Sequence, residues 1–330
     1  MRIGYLYCPE EIIQDIHGLA VVQKEICTAD KYLADRIRSN NHEVELIEYS
    51  ENFVKEIKKA DYDFIFNGAD GIDDIEEYDQ LFEKLDKLGI PFSGCNRKIH
   101  YLFTDKPKAK EFFQNCGVET PSYHLIGQNM KIPANLSYPI IIKPAATDAS
   151  LGIDEDSVVY NEVELNRKLS EIFKKFDKVF IEQYIDGREF CVPIVFNKGE
   201  VETFPILEID FSEHFENKPK ILSYKAKWSR NTNAFKNTYS RVKDLEPELD
   251  NKIKETAKLI FSRLNSAGYA TMDIRYADNT AYVLEINPNP YLAIESDFIK
   301  SAKHLGLTSN EFMEKIIQLN NLLTIKSKNH

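Results

Sequence analysis

Asp273, Glu285 and Asn287 lie on two short apolar segments near the C-terminal end, and their types and spacing point to chemistry more directly than any others in the chain. The segments run from Thr271 to Tyr276 and from Tyr282 to Asn287, with the turn-forming cluster Ala277-Asp278-Asn279-Thr280-Ala281 between them. They read as the arms of a β-hairpin. Centring the loop on Asn279 sets Asp273 opposite Glu285 and Thr271 opposite Asn287 on one face, while Met272, Ile274, Tyr276, Tyr282, Leu284 and Ile286 fill the other. Facing carboxylates repel and weaken the pairing. A divalent cation removes that penalty: two carboxylates and an amide oxygen are a sparse hard-oxygen set that suits Mg²⁺, with water and nucleotide phosphates completing the octahedron. The plain alternative is a solvent-facing polar stripe.

Three upstream stretches carry further candidates. Tyr138 to Pro144 is an apolar strand ending in Lys143, followed by a loop of small residues from Ala145 to Gly152 that includes Ala149 and Ser150. A lysine there can meet phosphate oxygens together with the loop amides, or it can simply cap a strand in solvent. Lys178 to Glu189 joins a strand to a turn, with acids at both ends. Glu182 can accept an adenine amino hydrogen, Ile185 can offer its backbone to the ring edge, and Glu189 can bind ribose hydroxyls; the alternative is a strand and turn with exposed acids. Tyr224-Lys225-Ala226-Lys227-Trp228-Ser229-Arg230 concentrates positive charge in an acidic chain. A lid bringing one of these lysines to a terminal phosphate would neutralise developing charge and exclude water.

The elements that must position these residues follow from periodicity. Over the first hundred residues, strands at 3–7, 43–49 and 63–66 alternate with helices near 24–39 and 75–88, and Ile90-Pro91-Phe92-Ser93-Gly94 closes the unit. That alternation predicts a small doubly wound parallel sheet (1–100) with ligand-accessible loops at its strand ends. No G-x-G-x-x-G follows the first strand, which disfavours a dinucleotide fold. A helix over 105–116, strands at 138–143 and 178–184, and a helix near 161–175 make a central unit (101–185). A hairpin around Asn197-Lys198-Gly199-Glu200, a patternless stretch over 210–243 read as a lid, a helix near 246–265, the ribbon and two amphipathic segments complete a C-terminal unit (186–330). The fold class is therefore mixed α/β and α+β.

Composition excludes other classes. The formal net charge is −11 with no basic tract, which argues against nucleic acid or an anionic membrane as a partner. Cys8, Cys27, Cys95, Cys116 and Cys191 are odd in number and form no C-x-x-C pair, so reduced thiols in a cytoplasmic protein are expected rather than disulfides or a zinc site. The apolar run at the start is too short for a signal peptide, and no stretch is long enough to span a bilayer. The seven histidines show no H-x-x-H or H-E-x-x-H spacing.

Taken in order, Asp105-Lys106, Ile142-Lys143-Pro144, Glu182 through Glu189, Lys225-Ala226-Lys227, Asp273 and Leu284-Glu285-Ile286-Asn287-Pro288-Asn289-Pro290 resemble the ATP-grasp superfamily, in its D-alanine:D-alanine ligase-like branch. The resemblance spans nearly the whole chain, including Phe66-Asn67 and Gly89 to Gly94. It implies an ATP-grasp fold behind an N-terminal pre-ATP-grasp unit, and an ATP-dependent carboxylate–amine ligase working through an acyl phosphate. It further implies that Lys106, Lys143 and the loop at Ser150 bind ATP phosphates, Glu182, Gln183 and Ile185 the adenine, Glu189 the ribose and Lys227 the γ-phosphate. Asp273, Glu285 and Asn287 would hold two Mg²⁺ ions, with Mn²⁺ a possible substitute. A homodimer acting on small amino acids or peptides is also implied.

The substrate side departs from the branch. Its D-alanine-specific glutamate, serine and tyrosine fall on Gln23, Ala149 and Trp228, its oxyanion arginine on Thr271, and the glycine after its metal asparagine on Tyr291, beside Leu292. Arg275, two residues beyond Asp273, is the candidate replacement for the missing positive charge, with pairing to a neighbouring acid as the alternative. Joining of amino acids or a short peptide is therefore expected in place of D-alanyl-D-alanine synthesis. The alternatives are authentic D-alanine:D-alanine ligation, phosphoryl transfer without ligation, and nucleotide-dependent regulation without turnover.

Overall fold

The computed structural model describes residues 1–9, 20–69, 72, 75–145, 150–290 and 292–327, without the side chains of 20–28, 213 and 320–327. Three sheets organise the chain. The first is parallel, in the order β2 (Glu43–Glu48), β1 (Arg2–Tyr7), β3 (Phe64–Gly68), and a bridge from Ile65 to Phe92 extends its edge. β1 and β3 are apolar on both faces, as helices on both sides require, whereas the edge strand β2 buries only Val44 and Ile47. Ile3, Tyr5, Phe64 and Phe66 pack toward α1 (Ala20–Arg38), whereas Leu6, Ile47 and Ile65 pack toward α2 (Phe53–Ala60) and α3 (Ile75–Leu88).

The second sheet is antiparallel, ordered β4 (Tyr123–Gly127), β7 (Lys178–Gln183), β5 (Ile140–Pro144), β6 (Val158–Val159). Period-two alternation gives it two unlike faces. Ile140, Ile142, Val179 and Ile181 bury against Leu165, Leu169 and Ile172 of α6 (Glu162–Ile172). Lys143, Phe180 and Glu182 face the other way, into a cleft.

The third sheet runs β11 (Thr238–Val242), β10 (Leu207–Phe211), β8 (Arg188–Asn197), β12 (Ala267–Ala277), β13 (Thr280–Asn287), with β9 (Glu200–Thr203) paired to β8. One face packs on α4 (Arg97–Thr104), α5 (Lys106–Asn115) and α9 (Pro247–Phe261) through Phe103, Phe113, Ile253 and Ile260. The helix that sequence reading grouped with the central unit thus packs into the core of the large sheet. At one end of the opposite face, Val195 and Tyr269 join a core shared with Phe298 of α10 (Asp297–His304) and with Phe312, Met313, Ile316 and Ile317 of α11 (Ser309–Ser327), which reaches back to the first sheet.

The stretch 210–243, expected to be patternless, contains α7 (Tyr224–Trp228), α8 (Asn233–Lys236) and the edge strand β11. Side-chain caps hold the two short helices, with Ser223 accepting from the Ala226 amide and Thr232 from the Phe235 amide. Helical periodicity cannot show in pieces this short.

The ribbon differs from expectation at one point. Thr271 pairs with Asn287 and Asp273 with Glu285 as expected, but a bulge at Leu284 then sets Ile274 opposite Val283 and Arg275 opposite Tyr282. Asp278 and Asn279 close a two-residue turn with φ of 47° and 58°, the pair of left-handed residues that a type I′ hairpin needs. Past the bulge the side chains of β13 change faces. Ala281 and Val283, not Tyr282 and Leu284, therefore join Met272, Ile274 and Ile286 in the core.

Candidate active site

Two polar surfaces converge beside β13. The first is the cleft between the second sheet and α5, lined by Lys106, Lys110, Lys143, Phe180, Glu182 and Glu285 and enclosing about 290 Å³ of open volume. Glu182 is buried at 2% exposure between two lysines. Lys143 Nζ donates to Glu182 Oε2 at 2.8 Å, and Lys110 forms a short ion pair with Oε1. Burial opposes ionisation of Glu182, yet the two lysines hold its carboxyl below the ordinary carboxylate range. Burial lowers Lys110, whereas Glu182 and Glu285 lift Lys143 above the usual lysine value against its own desolvation.

Sequence reading missed Lys110. It follows Lys106 by one helical turn on α5, an i, i+4 spacing that puts both on one face of the helix. Its Nζ also reaches the Val283 carbonyl at 3.4 Å, which accepts from Thr120 Oγ1 at 2.7 Å as well, while the Val283 amide donates to the Glu119 carbonyl at 2.9 Å. The strand groups beside the bulge are thereby satisfied from the side of the lysine cleft.

The second surface is the outer face of the third sheet. Cross-strand register brings Asp273 between Cys191 on β8 and Glu285 on β13. Burial and Glu285 push the Asp273 carboxyl up to about 8, with Lys227 of α7 pulling the other way. Burial and Asp273 raise the Cys191 thiol well above its ordinary value. Asp273 and Glu285 thus form an under-compensated carboxylate pair, an arrangement that a divalent cation stabilises. Asn287 lies exposed at the end of the same strand, and its Oδ1 accepts from the Asn289 amide at 3.0 Å. Among the described residues no cluster of three or more His, Cys, Asp or Glu forms. The donor set is therefore the sparse one read from the sequence and fits an ion that takes its remaining ligands from water and phosphate.

The lid segment docks on the small-residue loop. Ser150, at φ 62°, donates its hydroxyl to the Leu222 carbonyl at 2.7 Å, and the Tyr224 amide donates to the Ile153 carbonyl at 3.1 Å. Ser150 thus sits where the loop meets the root of α7, which carries half-buried Lys227 and Trp228. Gln183 and Ile185 flank Tyr184 in the connection from β7 to β8, with the Gln183 amide donating to the Ser122 carbonyl.

Arg275 lies within the sheet, beside an acid. It is buried at 4% exposure and pairs at 2.5 Å with Glu189, its register neighbour on β8. The guanidinium also donates to the carbonyls of Ile185 at 3.3 Å, Gly187 at 3.2 Å and Lys220. This pairing with an acid directly across the strand pair is the alternative that the sequence offered for Arg275. Of the substrate candidates, Leu292 is 3% exposed, inside the core that joins the first and third sheets. Ala149, Tyr291 and the Gln23 side chain lie outside the described residues.

Comparison with known proteins gives a consistent picture. Residues 114–318 match the family model described as D-ala D-ala ligase C-terminus. The chain is 27% identical over 300 residues to D-alanine–D-alanine ligase A of Bacillus cereus, covering 90% of this chain and 93% of that protein. Among solved structures, the D-alanine–D-alanine ligase of Bacillus anthracis complexed with ATP superimposes with a TM-score of 0.75 at 23% identity, over 99% of both chains. The VanG D-Ala:D-Ser ligase of Enterococcus faecalis gives 0.72 at 20% identity, over 97% of this chain and 99% of that one. At these identities the structural likenesses establish the fold.

Proposed function

The chain belongs to the D-Ala D-Ala ligase family of ATP-grasp ligases, enzymes that form an amide bond at the expense of ATP, and from that premise we propose that it joins amino acids, or an amino acid and a short peptide, through an acyl phosphate. Overall, a carboxylate oxygen bonds to the γ-phosphorus as ADP departs. An amine then bonds to the acyl carbon, inorganic phosphate leaves and the amine gives up a proton.

The observation that carries this reading is the continuity of the two surfaces: Glu285 lines the lysine cleft and also opposes Asp273 on the ribbon. In this reading Lys106 and Lys143, with the loop at Ser150, hold the phosphates. Glu182, Gln183 and Ile185 address the adenine, and Glu189 the ribose. Lys227, already within electrostatic reach of Asp273, neutralises the transferring phosphoryl group. Asp273, Glu285 and Asn287 would hold Mg²⁺, which would supply positive charge to the phosphates. Trp228 borders the acceptor side of the lid, where the D-alanine-specific enzymes carry a tyrosine, and this favours a substrate other than D-alanine.

ADP release measured against pairs of D- and L-amino acids and dipeptides tests the proposal. Phosphate and an amide product should appear together for at least one pair, and Asp273→Asn should lower the rate by at least a hundredfold. Retention of phosphate on the acceptor would establish phosphoryl transfer instead, and an Asp273→Asn enzyme as active as its parent would remove the metal assignment.

A further inference from the structure

Arg275 is the meeting point of three pieces of backbone and one acid. The carbonyls of Ile185 and Gly187 belong to the connection between β7 and β8, the carbonyl of Lys220 lies at the root of the lid, and Glu189 is the second residue of β8. Lys220 is gripped from both sides, because its amide donates to Tyr184 Oη at 2.9 Å while its carbonyl accepts from Arg275. The guanidinium also lies 5.5 Å from the centre of the Tyr184 ring and 5.9 Å from that of Phe211, close enough for cation–π attraction. The connection itself is pressed onto β12: a Cβ at Gly187 would come within 2.3 Å of the Tyr276 carbonyl oxygen.

Five donors in a rigid fork let one arginine serve several acceptors at once, which a lysine cannot reproduce. We infer that Arg275 is a positioning residue that couples the nucleotide hinge to the lid: it orients Glu189 for the ribose and fixes Lys220, so that occupancy of the hinge determines where Lys227 comes to rest. This rests on the ATP-dependent reading above. Lys220 leads through buried Ile221, which packs with Ile141, Val158 and Tyr184, into the segment that carries Lys227. Displacement of the hinge by a nucleotide is thus transmitted to the root of the lid through two side chains, Arg275 and Tyr184, beside the direct reach of Lys227 for the γ-phosphate.

The test combines steady-state kinetics with limited proteolysis of the lid, using a non-hydrolysable ATP analogue and Mg²⁺. In the parent enzyme the analogue should protect the lid from cleavage. Arg275→Lys and Arg275→Ala should raise the KM for ATP about tenfold or more, leave the KM for the amine unchanged, and uncouple lid protection from analogue binding. Added guanidinium ion should partly restore Arg275→Ala. Tyr184→Phe, which keeps the Arg275–Glu189 ion pair and removes the hydroxyl that accepts from the Lys220 amide and from Arg275, should lose lid protection while retaining analogue binding. Two results would overturn the inference: parental ATP KM and lid protection in the arginine variants, or an equal fall in every rate that follows the loss of folded protein. A parent enzyme that does not bind the analogue at all would instead overturn the ATP-dependent reading.

Discussion

At the scale of single residues, the ligase reading places a charge conflict at Asp273 that has a measurable signature. A carboxyl raised from its ordinary value to about 8 takes up protons in the folded state that the unfolded chain has already released. The folded state therefore loses stability as pH rises from about 4 to about 8. Mg²⁺ should reverse this trend, and Asp273→Asn should abolish it, raising the metal-free melting temperature at pH 8 by roughly 3 °C or more while eliminating turnover. A thermal scan series across pH, with and without Mg²⁺, reads all three. Asp273, Glu285 and Lys143 were legible because each stands out chemically against an apolar strand. The partner of Arg275 was not legible, because one-dimensional spacing puts it on the same face as Asp273 but does not show which strand lies alongside, and the neighbour on β8 is an acid. Lys110 escaped because a lysine on an amphipathic helix reads as solvated until a second sheet is packed over it.

At the scale of elements, the core around α4 sets the acid limit of the fold. His100 lies stacked at 4.2 Å on Phe82 of α3 and edge-on to Tyr78, and burial lowers its pKa to about 4. The unfolded histidine binds its proton near pH 6.5 and the folded one only near 4, so the folded state loses stability as pH falls between those values. His100→Phe should remove that loss, worth up to about 3 kcal/mol, and flatten the pH dependence of chemical denaturation between pH 6.5 and 4. If the slope persisted in the variant, another group would be responsible. Lys110→Met leaves Glu182 with one lysine partner in a buried site; a stability loss of about 3 kcal/mol is expected, together with weaker ATP binding in titration calorimetry. Long elements with strong periodicity, α3, α9 and the ribbon among them, were legible in the sequence. The bulge at Leu284 was not, because the apolar run Tyr282-Val283-Leu284 serves either register equally well; Thr120 and Lys110, distant in sequence, complete the hydrogen bonding there.

At the scale of the molecule, the three sheets are bound together by helices that do not follow sequence order. Phe103 and Phe113 of α4 and α5 belong to the core of the third sheet, and Phe312, Met313, Ile316 and Ile317 of α11 to the core of the first. His42 pairs with Glu314 at 2.7 Å and Asn40 donates to the Asn310 carbonyl at 2.8 Å across the same contact. Deleting residues 309–327 should therefore disrupt the N-terminal sheet as well as the C-terminal end, seen as loss of cooperative unfolding monitored by the N-terminal tyrosines. Survival of an intact N-terminal transition would show that α11 is dispensable. Sequence order was enough to read an N-terminal parallel unit, but not which later helix completes it, because an amphipathic face does not name its partner. The return of α11 also has a consequence during synthesis. The last strand of the first sheet ends at Gly68; α1 covers part of its apolar face, but α11, which covers the part at β3, begins some 240 residues further on, at Ser309. At roughly 5–20 residues per second, a nascent chain carries that part of the face uncovered for roughly ten to fifty seconds, a window in which a holding chaperone has a natural substrate.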